Sequence, residues 1–224
     1  MMSLMAMVLS ACGNKVNGAP SRSAQGDACP SKNSPKGESS EAAAQSSPQG
    51  GNEGDRILVV FFSHAGDNYA VGNIKVGNTK KIADLISEKT GARQFEIVAE
   101  KSYDMAYTPL TELAKQEQQN GELPAFKDGI DNIDQYETIF IGGPVWWGTY
   151  PQVMFTFFSK YDLNGKTLIP FTTHEGSGLG SCAKDLQKVY PNATVKQGLA
   201  IRGTDAQNDS AKNRVEKWLK ELGF

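Results

Sequence analysis

The amino-acid sequence predicts an α/β domain with a doubly wound, five-stranded parallel sheet. From residue 56 onward, short apolar runs alternate with segments whose apolar residues recur at helical spacing, and this pattern is typical of strands that are each followed by a helix. The runs at residues 56–62 and 138–141 are apolar or β-branched at nearly every position, as expected of strands buried on both faces. No internal repeat or second domain is visible, so residues 55–224 are expected to fold as one domain.

Each predicted element has a local signal of its own. Gly91 is suited to end the first helix, and Pro151 is suited to the first turn of a helix rich in phenylalanine. The last helix places Trp218 on its apolar side, so this side chain is expected in the core. The predicted strands are residues 56–62, 92–98, 138–141, 166–172 and 194–201, and the predicted helices are residues 80–89, 109–119, 181–189, about 210–222 and one that starts at Pro151.

The stretch of residues 138–151 carries the strongest functional signal. Its strand is expected to end at Gly142, where two glycines allow a close approach of the backbone and Pro144 stiffens the turn. Trp146 and Trp147 then place two large flat rings on a loop. They predict a platform for a flat ligand; the alternative is that one or both rings fill the edge of the core.

The loop after the first strand predicts a phosphate site. It leads through Gly77, Asn78 and Thr79 directly into a helix, whose free N–H groups and positive dipole end attract a dianion, with hydroxyls available from Ser63 and Thr79. The loop matches neither the Walker motif nor the GxGxxG dinucleotide motif. An ordinary helix start is the alternative interpretation.

The two loops are expected to meet. In a doubly wound sheet, ligands bind at the carboxyl ends of the strands where the strand order reverses, which brings together the loops after the first, third and fourth strands. A phosphate site beside an aromatic platform suits a mononucleotide with a planar ring.

These three loops resemble those of the flavodoxin family. Ser63 with residues 77–79 resembles the phosphate loop, residues 143–149 resemble the first ring-binding loop, and residues 172–180 resemble the second. The resemblance covers residues 56–224 and implies the strand order 2-1-3-4-5, with FMN at the switch point. The cofactor-binding residues that it implies are Ser63, His64, Gly77, Asn78 and Thr79, then Pro144, Val145, Trp146, Trp147, Gly148 and Thr149, and finally Thr173, His174, Glu175, Gly176, Ser177 and Gly178.

The sequence departs from the family pattern in three respects. Residues 64–76 lengthen the phosphate loop, and they either loop out or contribute residues 63–68 to the phosphate site. The second ring-binding loop lacks the tyrosine that often stacks on the flavin, which leaves His174 and the backbone near Gly176 to cover that face. The chain has a net charge of only −2, whereas flavodoxins are strongly acidic.

The resemblance implies an electron-transfer protein in which the cofactor, and no catalytic side chain, carries the electrons. The redox partner would be another protein or a membrane quinone. Two alternatives are an FMN-dependent NAD(P)H:quinone or nitro-compound reductase of the same fold, and a binding module without redox activity. The balanced charge disfavours nucleic acid as a partner. Two histidines and three widely spaced cysteines predict no metal site.

The N-terminal residues predict attachment to a membrane. Residues 1–11 are almost entirely apolar or small, have the length of a signal-peptide core, and end in a sequence that resembles the lipobox of bacterial lipoproteins. Cys12 would then carry the lipid and place the protein in the bacterial cell envelope, outside the cytoplasm, or in the cytoplasm if the signal is not used. Residues 12–54 are rich in Ser, Gly, Ala and Pro, which predicts a flexible tether.

Overall fold

The structure is a computed structural model, which describes residues 53–224. The predicted signal, the lipid-bearing Cys12 and the predicted tether lie outside the described residues, apart from the last two positions of the tether. Among the described residues, none of the helices has both the length and the apolar character that a bilayer span requires.

Eight strands and six α-helices form the described domain. In chain order, the strands are β1 (Ile57–Phe61), β2 (Gly66–Asn68), β3 (Gly72–Ile74), β4 (Arg93–Glu96), β5 (Thr138–Pro144), β6 (Thr167–His174), β7 (Thr194–Val195) and β8 (Leu199–Arg202). The helices are α1 (Asn78–Thr90), α2 (Tyr107–Asn120), α3 (Gln152–Lys160), α4 (Cys182–Val189), α5 (Gly203–Ala206) and α6 (Ser210–Leu222).

The main sheet is parallel and has the predicted strand order. It runs β4-β1-β5-β6-β7, and β8 also pairs with β6; with β7 and β8 sharing the last position, this is the order 2-1-3-4-5. The expected doubly wound fold is therefore confirmed. The register aligns Phe61 with Gly142 and Gly142 with Phe171, so β1, β5 and β6 end at the same edge.

Helices cover both faces of this sheet, and alternate residues of each strand enter opposite cores. Val59 and Phe140 face a core that includes Trp218 of α6, as expected from the sequence. Val60 and Ile141 face the other core, which contains the phenylalanines of α3. The three central strands thus have no solvent-exposed face, which explains why their sequences are almost continuously apolar.

All five predicted strands differ from the observed ones at their ends, and two of the differences have a clear structural reason. β5 continues beyond Gly142 to Pro144, because it keeps pairing with β6 as far as Thr173. The predicted strand at 194–201 is broken into β7 and β8. The break lies opposite Pro170 of β6. The Leu168 carbonyl before it still accepts from the Lys196 N–H at 2.9 Å, but Pro170 has no N–H to donate to the last strand.

The additional segment in the phosphate loop forms a small hairpin. β2 and β3 pair with each other in antiparallel fashion and do not join the main sheet. Ala70 lies at the tip with a φ of 64°. This hairpin thus projects from the main sheet, and the chain then returns to start α1.

Candidate functional site

A cavity of about 130 Å³ lies where β1, β5 and β6 end. It brings together nine of the residues predicted from the sequence: His64, Asn78, Thr79, Pro144, Val145, Trp146, Thr173, His174 and Glu175. Four further residues complete its lining: Asn68, Tyr69, Tyr107 and Gly203. The three predicted loops therefore meet at one edge of the sheet.

A second cavity of about 260 Å³ adjoins the first. The two cavities share five lining residues, namely His64, Asn68, Tyr107, Val145 and Trp146. α2 supplies most of the wall that is unique to the second cavity, including Leu110 and Ala114, and Asp67 and Trp147 complete it. The second cavity is thus the more apolar of the two, and Trp146 stands between them.

The start of α1 presents free N–H groups to the first cavity. The Lys80 N–H donates to Ser63 Oγ at 3.0 Å, and the Lys81 N–H makes the first helical bond, to the Gly77 carbonyl at 3.3 Å. Among the described residues, the N–H groups of Gly77, Asn78 and Thr79 have no acceptor. Ser63 therefore caps the helix, and the three preceding N–H groups remain available to an anion.

Gly77 is required by the close packing at this turn. A Cβ atom at this position would collide with Ser63 Oγ and would lie 2.6 Å from the His64 carbonyl oxygen. The same packing directs the chain out of β1 and into α1 after the hairpin.

Thr79 connects the phosphate loop to β6. Its hydroxyl shares a buried 2.8 Å hydrogen bond with the hydroxyl of Thr173. The side chain of Asn78 accepts a hydrogen bond from Gln207, which follows α5. These contacts hold the start of α1 against the end of β6.

Trp146 fills the edge of the core and also lines both cavities. Its ring makes edge-to-face contacts with Phe62, Tyr103 and His64, with centroid distances of 5.5, 5.3 and 6.1 Å. Such contacts orient the indole ring. The prediction that it forms a platform and the alternative that it packs at the core therefore both describe this residue.

Trp147 points away from the first cavity. Its indole N–H donates to the Thr111 carbonyl at 2.8 Å, and the ammonium group of Lys115 lies 4.9 Å from its ring. Its carbonyl accepts from Gln118 at 3.2 Å, its φ is 50°, and the residue is 50% exposed. Contacts with α2 thus separate the two tryptophan rings, which the sequence had placed on one platform.

Five other residues of the two ring-binding loops make contacts within the fold and do not line the cavities. The Gly148 carbonyl accepts from the Ser181 N–H at 2.8 Å, and Thr149 donates to Asp185 at 2.5 Å. The Gly178 carbonyl accepts from Thr172. Gly148, Thr149, Gly176, Ser177 and Gly178 do not line either cavity.

His174 and Glu175 border the first cavity. His174 Nδ1 accepts the Gly176 N–H at 2.9 Å, and burial, together with the positive charges of Arg202 and Arg214, lowers the pKa of His174. Glu175 Oε1 is buried and has no partner among the described residues. A Cβ atom on Gly203 would lie 2.5 Å from both Glu175 Oε1 and Asn78 Nδ2, so any larger residue there would displace these two side chains.

Two tyrosines at the rim were not anticipated. Tyr69 of the hairpin tip and Tyr107 at the start of α2 contact each other with a centroid distance of 5.6 Å and an angle of 35°. The Tyr107 N–H donates to Asp67 at 3.0 Å, which attaches the hairpin to α2. Tyr69 lies in the segment that lengthens the phosphate loop, but neither tyrosine was among the predicted site residues. The only signal was the absence of a tyrosine from the second ring-binding loop.

His64 is the most buried titratable side chain of the cavity lining. It is 8% exposed, and its Nε2 atom has no partner among the described residues. Burial lowers the pKa of His64, against the opposing effects of a hydrogen bond with the Asp67 backbone and of the negative charges of Asp104 and Asp67. Burial therefore favours the neutral form of this imidazole.

A buried carboxylate is hydrogen-bonded to the tyrosine whose ring contacts Trp146. Glu117 of α2 has no exposed surface, forms an ion pair with Lys101, and accepts hydrogen bonds of 3.0 and 3.1 Å from the Tyr103 hydroxyl. The Tyr103 ring is the one that contacts Trp146 edge-on. The position of the indole thus depends on a polar network within the core.

No metal centre is apparent in residues 53–224, where no group of three or more His, Cys, Asp or Glu side chains could hold an ion.

We expect Tyr103→Phe to lower the free energy of unfolding by about 1–3 kcal/mol, because it removes the hydroxyl that donates to a fully buried carboxylate. Urea denaturation followed by circular dichroism measures this loss. Tyr107→Phe is the control, since the Tyr107 hydroxyl has no partner among the described residues. Equal effects of the two variants would contradict the buried network.

We also expect the domain to lose stability as the pH falls from about 7.5 to about 5.5. The pKa values of His64 and His174 are lowered in the folded state, so the unfolded chain binds more protons than the folded chain in this pH range. The stability that the two neutral histidines contribute is fully present above the unfolded-state pKa of about 6.5 and is lost as the pH falls below that pKa. Glu96, whose pKa is raised by burial, acts in the opposite direction.

Urea midpoints across this pH range test the expectation. The slope should be smaller in His64→Gln than in the unmodified protein. A stability that rises towards acidic pH in both proteins would contradict it.

The comparisons with known proteins agree with this geometry. The family model described as Flavodoxin matches residues 56–222. No curated protein matches the chain significantly.

Among solved structures, two Bacteroides proteins named as flavoproteins, from Bacteroides eggerthii and Bacteroides uniformis, each share 28% identity with the chain. They have TM-scores of 0.60 and 0.61, and each alignment covers 75% of this chain and 98% or 99% of the other. A flavoprotein from Lactobacillus acidophilus, at 22% identity and a TM-score of 0.52, covers 74% of this chain and 99% of its own length and shows the same fold. Over most of its length, this chain belongs to the flavodoxin family.

Proposed function

We propose that this protein binds FMN without a covalent bond and transfers electrons. One observation carries the proposal: Asn78 and Thr79, whose N–H groups at the start of α1 are free, line the same cavity as the ring of Trp146. A phosphate and a planar ring system are the two parts of FMN that these groups suit. The Lactobacillus acidophilus flavoprotein, which has this fold, was solved in complex with FMN.

The polar groups around the cavity also fit a phosphorylated, hydrogen-bonding ligand. His64 Nε2 and Glu175 Oε1 are buried without partners, and buried polar groups are normally hydrogen-bonded. Gly77 and Gly203 leave room where any Cβ atom would intrude. A purely apolar ligand would leave these groups unsatisfied.

The residues divide into two groups for such a ligand. Gly77, Asn78 and Thr79 would hold the phosphate through their backbone N–H groups, and Trp146 with Tyr107 would border the ring. FMN, when bound, accepts and donates electrons, and the protein sets its potential. The apolar rings and the carboxylate of Glu175 disfavour negative charge in the cavity, and this lowers the potential.

We expect the full chain to bind one FMN and to bind riboflavin at least about tenfold more weakly, because riboflavin lacks the phosphate that the N–H groups receive. Trp146→Leu should weaken FMN binding about tenfold, whereas Trp147→Leu should change it less than about threefold, because the Trp147 ring turns to α2. Quenching of flavin fluorescence measures each affinity. Equal affinities for the two flavins would contradict the phosphate site, and a stronger effect of Trp147→Leu would contradict the ring site.

An NAD(P)H-dependent reductase is the second candidate. The apolar cavity of about 260 Å³ beside Trp146 favours it, because it offers space for a flat acceptor next to the proposed ring site. Oxidation of NAD(P)H with a soluble quinone decides between the two functions. Fast turnover by the FMN-loaded protein alone identifies a reductase, and turnover only with an added reductase protein identifies a carrier.

A binding module without redox activity is the remaining class. A protein that stays colourless after incubation with FMN would belong to it.

We further propose that Cys12 is lipidated and holds the protein at the outer side of a bacterial membrane, with residues 12–54 as a tether. The apolar residues 1–11 and the sequence that ends at Cys12 support this. Electrons would then come from a membrane quinol or another envelope protein.

Replacing Cys12 with Ala should release the protein into the soluble fraction of the native cell, because the acyl chains supply the membrane affinity. Immunoblots of membrane and soluble fractions measure the shift. Cys29→Ala, within the same predicted tether, is the matched control and should stay with the membrane.

A further inference from the structure

The imidazole of His64 is buried and incompletely bonded. It is 8% exposed, and Nε2 has neither a donor nor an acceptor among the described residues. Because buried polar atoms are normally paired, the atom is suited to gain or share a proton when its surroundings change.

His64 also lies at a junction of three spaces. It lines the candidate cofactor cavity and the apolar cavity beside Trp146, and its ring contacts the Trp146 ring with a centroid distance of 6.1 Å. On its other side lies an open cleft of about 520 Å³, bounded by the hairpin and the segment that follows β4. One side of the imidazole thus borders the proposed ring site, and another borders a cleft that is open to solvent.

The negative charges around His64 raise its pKa by less than burial lowers it. Asp67 of the hairpin and Asp104 before α2 carry these charges, but burial outweighs them and the pKa of His64 is lowered. Asp67 already accepts the Tyr107 N–H. The other charged groups near this histidine are Lys75, Glu96 and Lys101 in the open cleft, of which Lys101 is paired with Glu117, and Glu175 in the cofactor cavity.

Reduction of a bound flavin would change this balance. An electron that reaches the flavin without a proton on the ring would add one negative charge to the cavity, and a negative charge there would stabilise a nearby imidazolium. Protonation of the His64 imidazole would offset this added charge.

We propose that His64 takes up a proton when the bound flavin is reduced, so that electron uptake is coupled to protonation of this one buried imidazole. The step balances: one electron passes from the donor to the cofactor, and one proton passes from solvent through the open cleft to Nε2, where an N–H bond forms and no bond of the protein breaks. Oxidation returns both. The inference rests on the proposed FMN site.

The chain contains only two histidines, and this makes the proposal directly measurable. Proton NMR of the FMN-loaded full chain gives the titration of each imidazole, and the spectrum of His64→Gln assigns the two signals. We expect the pKa of His64 to be higher by about one unit or more in the dithionite-reduced protein than in the oxidised protein. An unchanged pKa of His64 on reduction would overturn the proposal.

Potentiometry supplies an independent test. In the unmodified protein, the potential of the electron transfer that leaves the flavin negatively charged should fall by about 59 mV per pH unit between the two pKa values of His64, the shift for a tenfold change in proton concentration. His64→Gln should lose this part of the slope. His174→Gln, which alters the other histidine of the same cavity, should keep the slope even if its absolute potential moves.

The two proposals fail in distinguishable ways. A full chain that shows no flavin absorbance after incubation with FMN refutes the cofactor site and the histidine coupling together. A yellow protein in which His64→Gln keeps the full pH slope refutes only the coupling.

Discussion

Close packing at the end of β5 is the constraint on which the site depends. A Cβ atom on Gly142 would lie within the ring of Phe171, and one on Gly143 would lie 2.6 Å from Met154 Sδ. Glycine at both positions lets β5 continue beside β6 to Pro144. The first ring-binding loop therefore leaves the sheet beside the end of β6, within reach of the loop that begins α1.

Helix α2 gives this edge much of its chemical character. Its first residue is Tyr107, the tyrosine at the cavity rim. The Thr111 carbonyl accepts a hydrogen bond from the Trp147 indole N–H. The buried Glu117 accepts from the Tyr103 hydroxyl, and the Tyr103 ring contacts Trp146. One helix thus orients both tryptophans in different directions. The ring site is set as much by this helix as by the loops that follow the strands.

The sequence was sufficient to predict the main sheet, since strands buried on both faces are continuously apolar and their helices have a clear period. It also identified the loops that meet, because the carboxyl ends of parallel strands share an edge. The strand order came from the resemblance to the flavodoxin family. The break opposite Pro170 and the extension of β5 depend on pairing between strands, which no local pattern encodes.

The side-chain details of the site were less predictable for the same reason. Trp146 and Trp147 are adjacent in sequence, but tertiary contacts with Tyr103 and Thr111 direct them apart. Ser63 has the residue type of a phosphate ligand, yet its hydroxyl caps α1. Tyr69 and Tyr107 come from segments without a site motif and meet only in the folded chain.

The hairpin has a structural consequence for the neighbouring helix. α2 begins after Ala106, a residue that offers no side-chain cap, and the carboxylate that receives its first N–H group comes from Asp67, forty residues earlier in the chain. Shortening residues 64–76 to the compact loop of other flavodoxins would therefore leave the first turn of α2 uncapped and free to fray. A segment that resembles a dispensable insertion thus supplies the cap that the start of α2 lacks in its own sequence.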